Sequence, residues 1–100
     1  MLSRPLAFRA DEAAEFLTIL ANAKRLIILQ HLLKSEMTVN AIADAVGLSQ
    51  SALSQHLAKL RALYLVTTRR DRQMIYYSCD SANVRIMLET LDEMFAETAH

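Results

Sequence analysis

The stretch "GLSQSALSQHLAKLR", residues 47–61, holds five short polar residues whose spacing suits one kind of chemistry: Ser49, Gln50, Ser51, Ser54 and Gln55. Wound at 100° per residue, Leu53, Leu57 and Leu60 collect in one narrow sector. Ser51, Gln55, Ala58 and Ala62 fall opposite, with Ser54 on one flank and Lys59 on the other. A face that merely meets water ordinarily carries Lys and Glu, which favour both helix and solubility. Here that face carries short uncharged hydrogen-bonding groups. A glutamine amide can pair with adenine N6 and N7, and a serine hydroxyl can serve several base edges. Ala58 and Ala62 lack bulk, so such a helix can lie deep in a major groove. Lys59 and Arg61 would then reach phosphates.

A second cluster follows. "LVTTRR" and "QMIYYSC" are β-branched or aromatic runs separated by "DR", which predicts a hairpin with Arg69, Arg70 and Arg72 near its tip. Such a tip can follow a phosphate backbone or enter a minor groove. Charged tips also serve to discourage edge-to-edge pairing, so the arginines take their meaning from the helix before them.

Nothing else in the chain has the pattern of a reactive site. His31 lies in an apolar helical run, His56 lies beside the leucine sector, and His100 is terminal; none has partners at metal-ligand spacing. Cys79 is the one cysteine; at a strand end it reads as a small buried hydrophobe, and it permits no internal disulfide. No nucleophile–base pair, phosphate-cradling glycine loop or carboxylate cluster is present. The expectation is a protein without enzyme activity, metal or cofactor.

The elements that must position these residues follow from caps and periodicity. Residues 1–8 read as a flexible arm, and residues 9–97 as one domain. A first helix is expected over about 10–21, with Asp11, Glu12 and Glu15 near its positive end. Asn22 can cap a second helix with a stripe of Leu26, Ile27, Leu29, Leu32 and Leu33. Thr38 can cap a short third helix, which Gly47 ends in the left-handed conformation, and Ser49 caps the fourth directly afterwards. Two short helices joined by a glycine turn form a helix-turn-helix. A hairpin and a last helix over about 81–97 complete a mainly α winged helix-turn-helix. On the last helix Met87, Leu91 and Met94, with Phe95 beside them, offer apolar surface that predicts a homodimer.

Composition bounds the rest. One hundred residues, 53% of them apolar, suffice for a single core, and the formal net charge is zero. That neutrality is a cancellation: residues 49–79 sum to +4 and residues 80–97 to −4. The basic middle suits a polyanion while the acidic end faces elsewhere. No apolar run approaches a membrane span and no leader pattern opens the chain, so a cytoplasmic location is expected.

At "LANAKRLIILQHLL", "MTVNAIADAVGLSQSALSQHLAKLR" and "LVTTRRDRQMIYYS" the chain resembles the ArsR/SmtB family of bacterial transcriptional repressors, over roughly residues 15–95. The resemblance implies a dimer through the first and last helices, which adds Phe16 and Leu20 to the interface, an inverted-repeat operator in double-stranded DNA, and release when an effector binds. The family's effector ligands do not carry over. Metal-sensing cysteines of the third helix correspond to Thr38 and Asn40, and metal ligands of the last helix to Ser81, Asn83, Met94 and Glu97. A dithiol pair would fall at Gln30 and Ala96. The resulting expectation is a dimeric repressor without these sensing sites. Two alternatives stay open: a sensor with another small-molecule site or a Cys79 thiol switch, and a winged helix used to bind protein.

Overall fold

The computed structural model describes residues 9–96; the expected arm at 1–8, Glu97 and His100 lie outside that range. The chain order is α1 (Ala10–Leu20), α2 (Ala23–Lys34), β1 (Met37–Thr38), α3 (Val39–Val46), α4 (Gln50–Ala62), β2 (Thr67–Asp71), β3 (Met74–Ser78) and α5 (Ala82–Ala96). Short polar side chains start α2, α3, α4 and α5, whereas α1 follows Arg9 with no side-chain cap. Asn22 accepts from the Arg25 N–H at 3.1 Å, Thr38 from Ala41 at 3.2 Å, and Ser49 from Ala52 at 3.2 Å. Each satisfies one of the orphan donors of a helix start. Ser81, which the sequence reading placed inside the last helix, caps α5 instead by accepting from Val84 at 3.2 Å. Gly47 stops α3 at φ +70°, as expected.

The stop of α4 has no glycine. Tyr64 takes the left-handed position at φ +58°. Its N–H donates to the Arg61 carbonyl at 2.9 Å, and the Leu65 N–H to that of Leu60 at 3.0 Å, the paired bonds of a Schellman closure. Leu65 and Val66 then turn into the core.

The sheet has three strands in the order β1-β3-β2, all antiparallel. The expected hairpin is β2–β3, closed by Arg72 and Gln73 between the paired residues Asp71 and Met74. Strand β1 was not expected. Its two residues are too few to show alternation, and their pairing with Tyr76 and Tyr77 comes from the free edge of β3. It joins the wing to the start of α3.

Leu53, Leu57 and Leu60 from α4 pack with Ile28, Leu29 and Leu32 from α2, Ile42, Ala43 and Val46 from α3, and Val84 from α5. Full burial of each large side chain stabilises by about 1.5–3 kcal/mol, so α4 is firmly seated. Two expectations change here. Leu20, assigned to a dimer surface, is only 4% exposed and belongs to the protomer's own core. Cys79 is buried as expected but lies just past β3, where its N–H donates to the Leu32 carbonyl at 3.2 Å.

Candidate nucleic-acid interface

The burial of the three leucines decides which way α4 faces. Ser51, Ser54, Gln55, Ala58, Lys59 and Ala62 are all exposed, so the uncharged hydrogen-bonding face points away from the core. Ser49 and Gln50 have local duties. The Ser49 hydroxyl oxygen accepts from Ala52 and lies 3.4 Å from that of Ser51. Gln50 donates through Nε2 to Oδ1 of Asn40, across the helix-turn-helix from α4 to α3. In the sequence Asn40 stands only at a metal-ligand position of the resembled family, and no local pattern reveals a partner ten residues away.

The wing arginines separate into two kinds. Arg69 donates to both carboxylate oxygens of Glu36, from Nε at 3.1 and 2.9 Å and from a terminal nitrogen at 2.5 Å. Its guanidinium also lies 4.7 Å from the Tyr76 ring centroid, and Asp71 is 4.0 Å away. This hydrogen bonding holds the Glu36 carboxyl below its ordinary range and pushes Arg69 upward. Arg69 is thus committed to bracing β2 against the segment before β1. Arg70 and Arg72 are exposed, and among the described residues neither is held in an ion pair. Arg72 occupies the hairpin turn at φ +60°.

On the edge of α4 toward α2, His56 accepts through Nδ1 from Arg25 Nε at 3.0 Å. Desolvation on burial, then the charges of Arg25 and Lys59, push the imidazole pKa below its ordinary value. Burial likewise pushes the Cys79 thiol up, the direction of an unreactive thiol.

The remaining apolar surface lies on α1, α2 and α5. Met94 and Phe95 are exposed as expected, while Phe16, Met87 and Leu91 are half-buried. Leu17 and Ile86, not singled out from the sequence, are 50% and 60% exposed. Between α2 and α5 lies an open groove of about 450 Å³ lined by residues including Leu26, Gln30, Leu88 and Phe95. Among the described residues no group of three or more His, Cys, Asp or Glu could hold a metal ion, and no single helix is long and apolar enough to cross a membrane.

A helix-turn-helix with an exposed second helix and a basic wing defines a winged-helix DNA-binding transcription regulator. Residues 22–68 match the model of the bacterial regulatory protein arsR family. Nodulation protein NolR of Rhizobium meliloti is 57% identical over 88 residues, which is 88% of this chain and 72% of that protein. The chain therefore belongs to the ArsR family. The crystal structure of NolR from Sinorhizobium fredii superposes with a TM-score of 0.87 at 56% identity, covering 95% of each chain. The transcriptional repressor BigR from Xylella fastidiosa gives 0.86 at 30% identity, covering 95% of this chain and 97% of that one. The homodimeric winged helix-turn-helix DNA-binding domain Mb0332 from Mycobacterium bovis gives 0.78 at 31% identity, covering 97% and 90%. Membership in a family of regulators carries no enzyme activity with it, as the sequence reading expected.

Proposed function

We propose that this regulator is a cytoplasmic homodimeric repressor that binds an inverted-repeat operator in double-stranded DNA. The observation that carries the reading is the exposed, uncharged, hydrogen-bonding face of α4 opposite its buried leucines. Ser51, Ser54 and Gln55 read base edges, and Gln50 offers its carbonyl at the start of the helix. Lys59, Arg70 and Arg72 contact phosphates; Ser49 supports them by capping α4, and Arg69 by holding the wing in place. The homodimeric Mycobacterium bovis domain and the exposed Leu17, Ile86, Met94 and Phe95 support pairing through α1 and α5. A twofold pair places its two α4 helices about 34 Å apart, one turn of DNA.

The dimer does its work without the family's metal or dithiol ligands, whose positions hold Thr38, Asn40, Ser81, Asn83, Met94, Gln30 and Ala96 among the described residues. The Cys79 switch is disfavoured by the burial of its thiol. Selection of bound fragments from random duplexes tests the whole reading. It is expected to return two inverted half-sites about one helical turn apart; a sequence-indifferent pool would contradict it and favour a protein-binding winged helix.

A further inference from the structure

Arg25 stands in the first turn of α2, outside both the base-reading face and the wing, yet it holds two other elements together. Its Nε donates to His56 Nδ1 on α4 at 3.0 Å, and a terminal nitrogen donates to the Ile19 carbonyl near the end of α1 at 3.1 Å. Both contacts are partly buried. An arginine carries donors only, so the imidazole nitrogen facing it must be the unprotonated one. The neutral ring then carries its proton on Nε2. A charged donor on a neutral acceptor is among the stronger hydrogen bonds available to a side chain.

We propose that Arg25 is a positioning residue for DNA recognition: by tying His56 to the end of α1 it fixes the roll of α4 relative to the helix at the proposed dimer surface. Base readout requires the Gln55 amide and the serine hydroxyls to meet base edges within hydrogen-bonding distance, and rotation of the helix about its long axis moves all of them together. The three leucines limit that rotation from one side only. The Arg25–His56 bond restrains it from the flank, close to Lys59. Because α1 supplies the third point, the rotation of α4 is referred to the same element that sets the distance between protomers. The groups facing the imidazole are Arg25 from α2 and Lys59 from α4, both cationic. They favour the neutral ring that the bond requires, and protonation of Nδ1 would set donor against donor.

This inference rests on α4 being the reading helix, and its test separates the two claims. Asparagine places its side-chain oxygen where histidine has Nδ1, whereas glutamine reaches to the position of Nε2. Arg25→Ala and His56→Gln are each expected to weaken binding to the preferred duplex about tenfold, with His56→Asn staying within about threefold of wild type. The double variant Arg25→Ala/His56→Gln is expected to be no worse than either single change, since both remove one link. Binding to random duplex and the dependence on salt concentration are expected to stay as in wild type, as a positioning residue touches no phosphate. Nitrogen NMR of His56 in the folded dimer should show Nδ1 unprotonated at pH 7, a readout that needs no variant to fold. Nδ1 carrying the proton, additive losses in the double variant, or a salt slope reduced by about one for Arg25→Ala would each overturn the proposal. Gln55→Ala in parallel reports on the reading helix itself: unchanged selectivity there removes the base-reading assignment, whatever the Arg25 and His56 variants do.

Discussion

Three side chains show how single residues divide between folding and binding. Arg72 closes the hairpin in a left-handed conformation that costs a non-glycine residue about 1–2 kcal/mol, and it is an exposed cation near the proposed DNA surface. Arg72→Gly is therefore expected to raise unfolding free energy by about 0.5–1 kcal/mol. The same change is expected to weaken binding to every duplex and lower the salt slope by about one. Denaturant titration and binding at several salt concentrations read the two opposite effects, and loss of stability would contradict the strain assignment. Two other residues set the pH response. The His56 pKa is lowered on folding, so the unfolded chain binds more protons and stability rises with pH there. That contribution is complete above the unfolded value near pH 6.5 and is lost as pH falls through the folded one. Glu36, also lowered, contributes above its unfolded value near 4.5 and loses that contribution at more acid pH. Unfolding curves from pH 7.5 to 3 should show the His56 slope and, below pH 4.5, a shallower one from the exposed Glu36 pair. His56→Asn should flatten the upper and Glu36→Gln the lower, and an unaltered upper slope in His56→Asn would exclude that residue as its source.

At the scale of elements, the sequence spoke most clearly where short-range chemistry decides. Asn22, Thr38 and Ser49 cap because a short oxygen beside a free helix N–H needs no distant partner, and Gly47 stops α3 because its φ is positive. The face of α4 was legible for a similar reason: three leucines at helical spacing leave only one outward side. Contacts set by tertiary structure were not legible. Strand β1 exists because β3 has an open edge, Tyr64 takes the left-handed stop of α4 with no glycine to signal it, and Leu20 is covered by the protomer itself. Arg69 looked equivalent to Arg70 and Arg72 until Glu36, 33 residues away, took it up. That strut has a testable consequence. The pair is exposed, so its loss should alter thermal stability little. Glu36→Gln both removes an anion beside the wing and releases Arg69 toward phosphate. It is expected to strengthen non-specific duplex binding and steepen the salt slope by up to about one. Unchanged non-specific binding by the purified Glu36→Gln protein would show that Arg69 cannot reach DNA.

At the scale of the whole molecule, the charge pattern and the apolar surface point in different directions. Positive charge sits on α4 and the wing, negative charge along α5, so a duplex is drawn to one side and, in the proposed dimer, the other side is left for a second copy. Leu17, Ile86 and Met94 would leave a single protomer with large exposed apolar side chains. Ile86→Asp combined with Met94→Asp is expected to give folded monomers that lose tight operator binding while keeping weak binding to any duplex. Sedimentation reads the assembly, and wild-type monomers at micromolar concentration would reject the dimer. Pairing matters because one α4 spans only a few bases, and a second at fixed spacing multiplies selectivity. All of this depends on α4 reading sequence. The most direct test compares wild type and Gln55→Ala on the selected operator and on random duplex of the same length, at matched salt. The predicted result is a loss of about 1–3 kcal/mol on the operator with random-duplex binding and salt slope unchanged. Equal losses on both duplexes would contradict the account, because they would make α4 a holder of the backbone and not a reader of bases.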